Sequence, residues 1–202
     1  KLMPKDSWRK EQEKRFSAAA ALLKNGLKLN SRKPVEIEPK GKNVIYHASQ
    51  SMPHTSSGYA IRTHGLVSSL KKKGYSVDVL LRNGYPLDRS DFKGGTVHPI
   101  EEIEDVSYHF SHTNPNDSTL INYQEVYNFN QLQNYETQAI NSIISAAKKI
   151  NPIAIHSASN FVVGLAGVKA AKTLGIPSIY EIRGFWHLTQ STKKEGYEGS
   201  DH

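Results

Sequence analysis

Short apolar runs alternate with longer segments of helical period along most of this sequence. The apolar runs are short enough for buried strands and fall at residues 44–48, 76–81, 153–155 and 178–182. The helical segments open at Tyr59, near Tyr127 and after Asn160, and they end at Gly74, at Asn151-Pro152 and at Gly175-Ile176-Pro177. This alternation predicts parallel strands joined by right-handed crossovers. We therefore expect an α/β fold: a Rossmann-like, open, mostly parallel sheet with helices on both faces.

The third predicted helix has a stripe of small and apolar residues. This stripe predicts close packing on the sheet and consists of Val163, Ala166, Gly167, Ala170 and Leu174. Lys169 and Lys172 fall opposite it, on an expected solvent face. Residues 91–130 are less regular, with short strand character at residues 96–100 and 106–110 and turn residues between them and the next helix.

Residues 1–40 read as a basic helical arm and linker in front of a domain that covers residues 41–202. If Ser7 caps a helix, one broad face carries the apolar side chains Trp8, Phe16, Ala19, Leu22 and Leu23. Asn25-Gly26 ends the pattern, and prolines and a glycine mark residues 30–42 as a linker. Such a helix packs on its own protein, links two domains, or lies on an anionic membrane surface.

The chain has 202 residues and a net charge of +7, with 26 Lys and Arg against 19 Asp and Glu. This balance favours anionic partners such as phosphorylated small molecules or acidic lipid surfaces. No nucleic-acid-binding module is recognisable, so we expect no nucleic-acid partner. The absence of cysteine is compatible with the cytosol, and no apolar run is long enough to predict a transmembrane helix. We expect a cytoplasmic protein, with attachment to the inner face of the membrane as an alternative, and a fragment of something longer.

Three loops are predicted to meet at the carboxyl edge of the sheet. The first contains Ser56, Ser57 and Gly58 and leads into a helix with Tyr59 and Arg62, a geometry that would cradle a phosphate at a helix N-terminus. The same pattern also fits an ordinary turn with a serine cap. The second loop spans residues 156–160, including His156 and Ser157, and the third spans residues 183–187, including Arg183 and Trp186. Their hydroxyls, amides, imidazole, guanidinium and aromatic rings suit a sugar or a sugar phosphate.

Residues 82–89 follow the second predicted strand at the same edge, where open α/β sheets bind ligands. Arg82 and Arg89 would meet phosphate or carboxylate there, and Tyr85 would stack on a ring. Gly84 and Pro86 fit a plain surface turn equally well. The histidines at positions 98, 109 and 112 lack the spacing of a metal site, so we expect no metal.

Two stretches resemble the retaining glycosyltransferases of family four. The first is SMPHTSSGYAIRTHGLVSSLKKKGYSVDVLLRNGYP, and the second is IHSASNFVVGLAGVKAAKTLGIPSIYEIRGFWHLT. The resemblance implies one half of a GT-B architecture, in which two Rossmann-like domains face each other across a cleft. Because the Glu-x7-Glu pattern of the second domain is absent, the chain resembles the first, acceptor-side domain only. It further implies a nucleotide-sugar donor, no other cofactor, and a C-terminal domain as the missing partner.

The resemblance also implies roles for individual residues. Ser57, Gly58 and Tyr59 match the loop beside the donor's pyrophosphate and sugar, and His156 and Ser157 match a strand-end pair near the acceptor. Many members have a histidine where this sequence has Arg183. A guanidinium is no general base near neutral pH, but it can hold a phosphate or a carboxylate, and we predict a catalytic role of that kind.

The function expected from these features is transfer of a sugar to a glycan, lipid-linked or other cell-envelope acceptor, in bacterial polysaccharide biosynthesis. The fragment itself is expected to be inactive without its second domain. The main alternative is a non-catalytic binding or scaffolding module with the same fold. A dinucleotide-dependent oxidoreductase is disfavoured, because Ser56-Ser57-Gly58 replaces the glycine fingerprint and Arg82 stands where an acid is expected.

Overall fold

The computed structural model describes residues 32–122, 129–158 and 160–184, together with Lys10, Ala21, Lys24 and Thr192. Six strands are present in these residues: β1 (Asn43–Ala48), β2 (Ser76–Leu81), β3 (Ile100–Ile103), β4 (Val106–His109), β5 (Ala154–Ala158) and β6 (Ser178–Glu181). The helices that accompany them are α1 (Gly58–Lys72), α2 (Phe129–Ile150) and α3 (Phe161–Leu174). The predicted fold class is confirmed.

The strands form one sheet in the order β3-β4-β2-β1-β5-β6. β1 pairs in parallel with β2 on one side and β5 on the other, and only β3 runs antiparallel to its neighbour. The chain moves outward from β1 to β2 in one direction and from β5 to β6 in the other. The strand order therefore reverses between β1 and β5, which places a topological switch point at their carboxyl ends.

Helices lie on both faces of the sheet. Alternate residues of β1 point to opposite faces, so its side chains show which helices cover each one. Val44 and Tyr46 lie in the apolar core that includes Val67 of α1. Ile45 lies in the other core, with Ala139 of α2 and Ala166 of α3 among its members. The sheet is thus the middle layer of three, and its buried strands explain the apolar runs in the sequence.

Two sequence expectations about strands are wrong. β5 extends through His156, Ser157 and Ala158, which the sequence had suggested as a polar loop, because these residues pair with both neighbouring strands. β3 begins at Ile100 rather than occupying residues 96–100, because its pairing with β4 starts at Ile100 opposite His109. The buried side chain of Val97 accounts for the apolar signal before it.

Lys169 is a further correction, since it is buried rather than on a solvent face. Its Nζ donates to Glu136 Oε2 at 2.7 Å, and the two side chains are 9% and 7% exposed. Glu136 belongs to α2, which packs beside α3 and removes this side of α3 from water. The ion pair therefore joins the two helices on one face of the sheet.

Residues 32–40 are fastened along the domain as a strap. The Val35 amide donates to the Thr173 carbonyl, the Lys40 amide donates to the Asn151 carbonyl, both at 2.9 Å, and Val35 and Ile37 pack on the core beneath α2 and α3. The predicted basic helix lies outside the described residues except for Lys10, Ala21 and Lys24, which have helical backbone. Among the helices that the structure describes, none combines the length and apolar character needed to cross a membrane.

Candidate functional site

The switch point lies where β1 and β5 end and α1 and α3 begin. Open α/β sheets form their ligand-binding crevice at this point, and we call this place the crevice. Ser57 caps α1 by accepting a hydrogen bond from the Ala60 amide, and Asn160 caps α3 by accepting one from the Val163 amide, each at 3.3 Å. The positive ends of two helix dipoles therefore flank the crevice. Ligands of open α/β sheets bind at this place in the fold.

Tyr59 joins the two strand ends below the crevice. Its hydroxyl accepts a hydrogen bond from the Ser49 amide at 3.0 Å and donates one to the Ala158 carbonyl at 2.8 Å. Ser49 follows β1 and Ala158 ends β5, so one side chain fixes the spacing of the crevice walls. The sequence expectation that Tyr59 lies at this edge agrees with its position.

The first turn of α1 presents open backbone to solvent. Ser56 and Gly58 are exposed, and a Cβ added to Gly58 would have no atom within 4 Å. The Ser57 hydroxyl also accepts from Gln50 Nε2 at 3.0 Å, and Gln50 Oε1 accepts from Arg89 Nη1 at 3.0 Å. The Arg89 side chain is 25% exposed, and its Nε and Nη2 donate to the Asp91 carboxylate at 2.7 Å and 2.5 Å, so the cation near the helix start is already paired with an acid.

Arg82 and Tyr85 lie inside the protein, where Arg82 braces its own loop after β2 and Tyr85 supports the loop after β1. The Arg82 guanidinium is paired with the Asp88 carboxylate, with both side chains at most 5% exposed. The Tyr85 hydroxyl donates to the Ser51 carbonyl at 2.7 Å and lies 2.8 Å from Thr55 Oγ1, and burial raises the pKa of this phenol. Neither side chain is presented to the crevice, although the sequence had suggested contacts with phosphate and with a ring.

A polar cluster lies under the crevice on the α1 side of the sheet; we call it the Glu181 cluster, and it comprises Tyr46, Arg62, His156, Glu181 and Arg183. The Glu181 carboxylate accepts from Tyr46 Oη and Arg62 Nη2 at 2.7 Å each and from Arg183 Nη2 at 3.2 Å. His156 Nε2 lies 3.3 Å from Glu181 Oε2 without the alignment of a hydrogen bond, and its ring lies 4.5 Å from that of Tyr46.

Arg183 connects this cluster to α1. Its Nη1 donates to the Tyr59 carbonyl at 3.0 Å and to Thr63 Oγ1 at 2.7 Å, and its guanidinium carbon lies 4.4 Å from the centre of the Tyr59 ring. Nη2 also contacts the Tyr46 hydroxyl. The side chain is 6% exposed, so the guanidinium holds a carboxylate of its own chain in this structure.

The charges in the cluster shift the pKa values of its members. Burial opposes ionisation of Glu181, but hydrogen bonds from Tyr46 and Arg183 and the charges of Arg183 and Arg62 outweigh it, so its pKa lies below the ordinary value. Burial lowers the pKa of His156, and Glu181 only partly counteracts this. Burial, with the hydrogen bond to Glu181, raises the pKa of Tyr46. Near neutral pH the cluster therefore contains an ionised Glu181 and a neutral Tyr46 and His156.

Several residues expected from the sequence do converge here. Tyr59, Arg62, His156 and Arg183 belong to one contact network, and Arg62 is its exposed member, with 58% of its side chain in solvent. Ser157 instead faces α3, where its buried hydroxyl has no hydrogen-bond partner among the described residues. Trp186 lies outside the described residues.

The sequence did not indicate Glu181 and Tyr46 as site residues, because both belong to strands and neither is part of a recognisable motif. The one available signal was Glu181 itself, an acid between the apolar residues Tyr180 and Ile182. Within the described ranges, no group of three or more histidine, aspartate or glutamate side chains is placed to hold a metal ion.

Comparisons with known proteins find similarity in structure. No protein-family model matches the sequence, and no curated protein matches it.

Among solved structures, sucrose-phosphate synthase from Thermosynechococcus elongatus overlaps with a TM-score of 0.53 at 14% identity, over 77% of this chain and 36% of that one. The catalytic domain of starch synthase IV from Arabidopsis thaliana, bound to ADP and acarbose, gives 0.49 at 18% identity, over 73% of this chain and 35% of that one. The C-terminal domain of a hydrogenase from Pyrococcus furiosus gives 0.41 at 11%, over 74% of this chain and 96% of that one.

The chain thus spans about a third of the length of the sucrose-phosphate synthase chain. At this level of identity the likeness shows the fold alone. It supports a Rossmann-like sheet of the kind found in GT-B proteins, flanked by helices on both faces.

Proposed function

We propose that the chain is the acceptor-side, N-terminal domain of a retaining glycosyltransferase of family four. Such an enzyme moves a sugar from a nucleotide-sugar donor to a glycan, lipid-linked or other cell-envelope acceptor. The observation that carries the proposal is the crevice between β1 and β5, with the exposed Gly58 backbone at the start of α1. The motifs that resemble this family fall on that crevice, and the similarity to sucrose-phosphate synthase in fold is consistent with it.

The crevice would act on the leaving group of the donor. Main-chain amides at the start of α1 would offset negative charge on a departing diphosphate. Interactions of this type contribute several kcal/mol when water is excluded. A second domain would complete the donor site and would exclude water by closing over the crevice.

Arg183 and His156 would serve as positioning residues in this proposal. Arg183 holds the end of β6 against the first turns of α1, and His156 packs under the same cluster. We expect Arg62, rather than Arg183, to be the member of the Glu181 cluster that meets substrate, because most of its side chain is exposed.

The test is binding of diphosphate compounds to a variant with a blocked crevice. Gly58→Glu places a carboxylate where the diphosphate is expected, and it leaves the fold intact because nothing lies within 4 Å of the new Cβ. An acid in the first turn also suits the helix dipole. We expect UDP-glucose, ADP-glucose or GDP-mannose to raise the melting temperature of the wild-type chain, and Gly58→Glu to weaken that binding by about tenfold or more.

Gly65→Glu is the matched control, because Gly65 is also exposed on α1 with nothing within 4 Å of an added Cβ. It should bind as the wild type does. Equal binding by both variants would favour the alternative, a non-catalytic binding or scaffolding module. That alternative is supported by one specific observation: Arg183 and Ser157 are turned into the protein rather than toward the crevice.

A further inference from the structure

A groove of about 650 Å³ lies beside α2, above Leu80 of β2 and His109 of β4. We call it the α2 groove. None of the crevice residues named above lines it. Most of its wall is apolar, and the apolar side chains include Leu80, Ile100, Ala139, Ile143, Ala146 and Ile150. An apolar pocket of this size with a few polar groups is typical of a small-molecule site.

His47 contributes a buried hydrogen-bond acceptor to the groove. The side chain is 2% exposed, and its Nδ1 lies 3.1 Å from the Val163 carbonyl. Because a carbonyl oxygen only accepts, Nδ1 carries the proton of the neutral ring and Nε2 is left as an acceptor. Nε2 has no hydrogen-bond partner within the part of the chain that the structure describes. Since an unpaired buried acceptor costs free energy, this position favours a donor such as a ligand hydroxyl.

Asn83 adds a second buried polar side chain toward the same end of the groove. It follows β2, in which Leu80 lies opposite His47 and Leu81 opposite Ala48. Asn83 is 3% exposed, and its side-chain amide forms no hydrogen bond with any residue in the described ranges. The carboxyl end of the groove therefore offers uncharged hydrogen-bonding groups.

Lys149 places a cation at the opposite end of the groove. Its neighbour Ile150 ends α2, and the Ile150 carbonyl accepts from Asn43 Nδ2 at 2.7 Å, at the start of β1. His47 lies four residues further along β1, about 13 Å away at the rise of a strand. Lys149 is exposed and forms no ion pair with a described residue.

The other charges around the groove leave Lys149 available for an anion. None of the described residues that line the groove is an acid. His109 also lines it, but its Nε2 lies 2.8 Å from Asp78 Oδ1, so this imidazole is already paired within the protein. An anionic group at the α2 end would therefore meet Lys149 without a competing carboxylate on the wall.

We propose that the α2 groove binds an elongated hydroxy acid. Its anionic group lies beside Lys149, its apolar body lies along Leu80, Ile143 and Ala146, and its hydroxyl donates to His47 Nε2. The site takes a different ligand from the crevice, because a nucleotide diphosphate would place its charges against the apolar middle of the groove. This proposal does not depend on the proposed function.

Calorimetric titration with three compounds of equal chain length tests the proposed ligand. We expect ω-hydroxydodecanoate to bind the wild-type chain at sub-millimolar concentration. Dodecanoate should bind about tenfold more weakly, because it leaves the His47 acceptor without a donor. The corresponding terminal diol should bind about threefold more weakly at low salt, because it lacks the charge. Absence of binding by ω-hydroxydodecanoate, or equal affinity for dodecanoate, would overturn the proposal.

A bulky side chain in the groove tests the location of the site. Ala146→Trp fills the middle of the groove and should weaken binding of ω-hydroxydodecanoate at least about tenfold. Thr137→Trp is the matched control, because Thr137 is exposed on α2 and does not line the groove. Thermal unfolding of both variants checks that they are folded. Equal affinity of the two variants would overturn this location.

Lys149→Ala tests the anionic end without disturbing the core, because Lys149 is exposed. It should weaken binding of ω-hydroxydodecanoate about threefold at low salt and leave binding of the diol unchanged. Lys148→Ala is the control, since the neighbouring Lys148 is exposed and does not line the groove. An equal effect of both substitutions, or an equal effect on acid and diol, would overturn the assignment of Lys149.

Discussion

At the scale of single residues, Tyr59 and Arg183 set the shape of the crevice from below. The phenol of Tyr59 forms hydrogen bonds at the ends of β1 and β5. The guanidinium of Arg183, which follows β6, donates to the carbonyl of Tyr59 and to Glu181. These contacts leave Gly58 as open backbone and Arg62 as the exposed cation. The residues that shape the site are therefore distinct from those presented to a ligand.

His47 gives the clearest expectation of pH dependence. It is buried in β1 with Nδ1 3.1 Å from the Val163 carbonyl, and burial lowers its pKa to about 4, against a smaller opposing effect of that hydrogen bond. The unfolded chain therefore binds a proton at pH values where the folded chain does not. The stability associated with neutral His47 is complete above about pH 6.5 and is lost as the pH falls toward 4.

We expect the free energy of unfolding of the wild type to fall by about 1 kcal/mol more than that of His47→Gln between pH 7.5 and pH 5.5. Glutamine keeps a donor for the Val163 carbonyl but does not titrate. Urea denaturation at the two pH values measures the difference, with His98→Gln as a control at an exposed position. A pH dependence in His47→Gln as steep as in the wild type would show that His47 is not the responsible group.

At the scale of elements, close contact between α3 and the sheet depends on two glycines. A Cβ on Gly164 would come 2.2 Å from the ring of Tyr180, and one on Gly167 would come 1.8 Å from Ser157 Oγ. The small residues of the stripe predicted this approach from the sequence. The partners on β5 and β6 were not predictable, because the sequence does not indicate that β5 continues through Ser157.

Gly167→Ala should lower the free energy of unfolding by about 1–3 kcal/mol, since the new methyl group overpacks the contact with Ser157. The same change in a Ser157→Ala background should cost less, because the clashing hydroxyl is gone. Gly65→Ala on α1, with open space around it, should instead stabilise the helix by about 0.5–1 kcal/mol. Equal costs of Gly167→Ala in both backgrounds, measured by urea denaturation, would contradict this packing.

The same scale explains why site residues were harder to predict than strands. Apolar runs identified the positions of β1 and β2, because those strands are buried between layers. The run at β6 also gave its position, although β6 is an edge strand with exposed residues. Arg82 looked available at a strand end, but the turn after it returns Asp88 to pair with it inside the protein. A pairing across a turn leaves no periodic signal in the sequence.

At the scale of the whole molecule, the parallel sheet brings loops and helix starts from distant parts of the chain to the switch point. The carboxyl edge brought Tyr59, Arg62, His156 and Arg183 together, because parallel strands deliver their ends to one place. The sequence alone could not show which of them face solvent, since that depends on Glu181 and Tyr46. The overall charge of +7 suits an anionic ligand at the switch point.

Hydrogen exchange measured by mass spectrometry, with and without millimolar UDP-glucose, ADP-glucose or GDP-mannose, tests the central claim most directly. A nucleotide sugar bound at the switch point should slow exchange in peptides that cover residues 49–62, where the loop after β1 and the first turn of α1 lie. Peptides from α2 should be unchanged. Protection confined to α2, or unchanged exchange at residues 49–62 with all three compounds, would contradict a nucleotide-sugar site in this crevice.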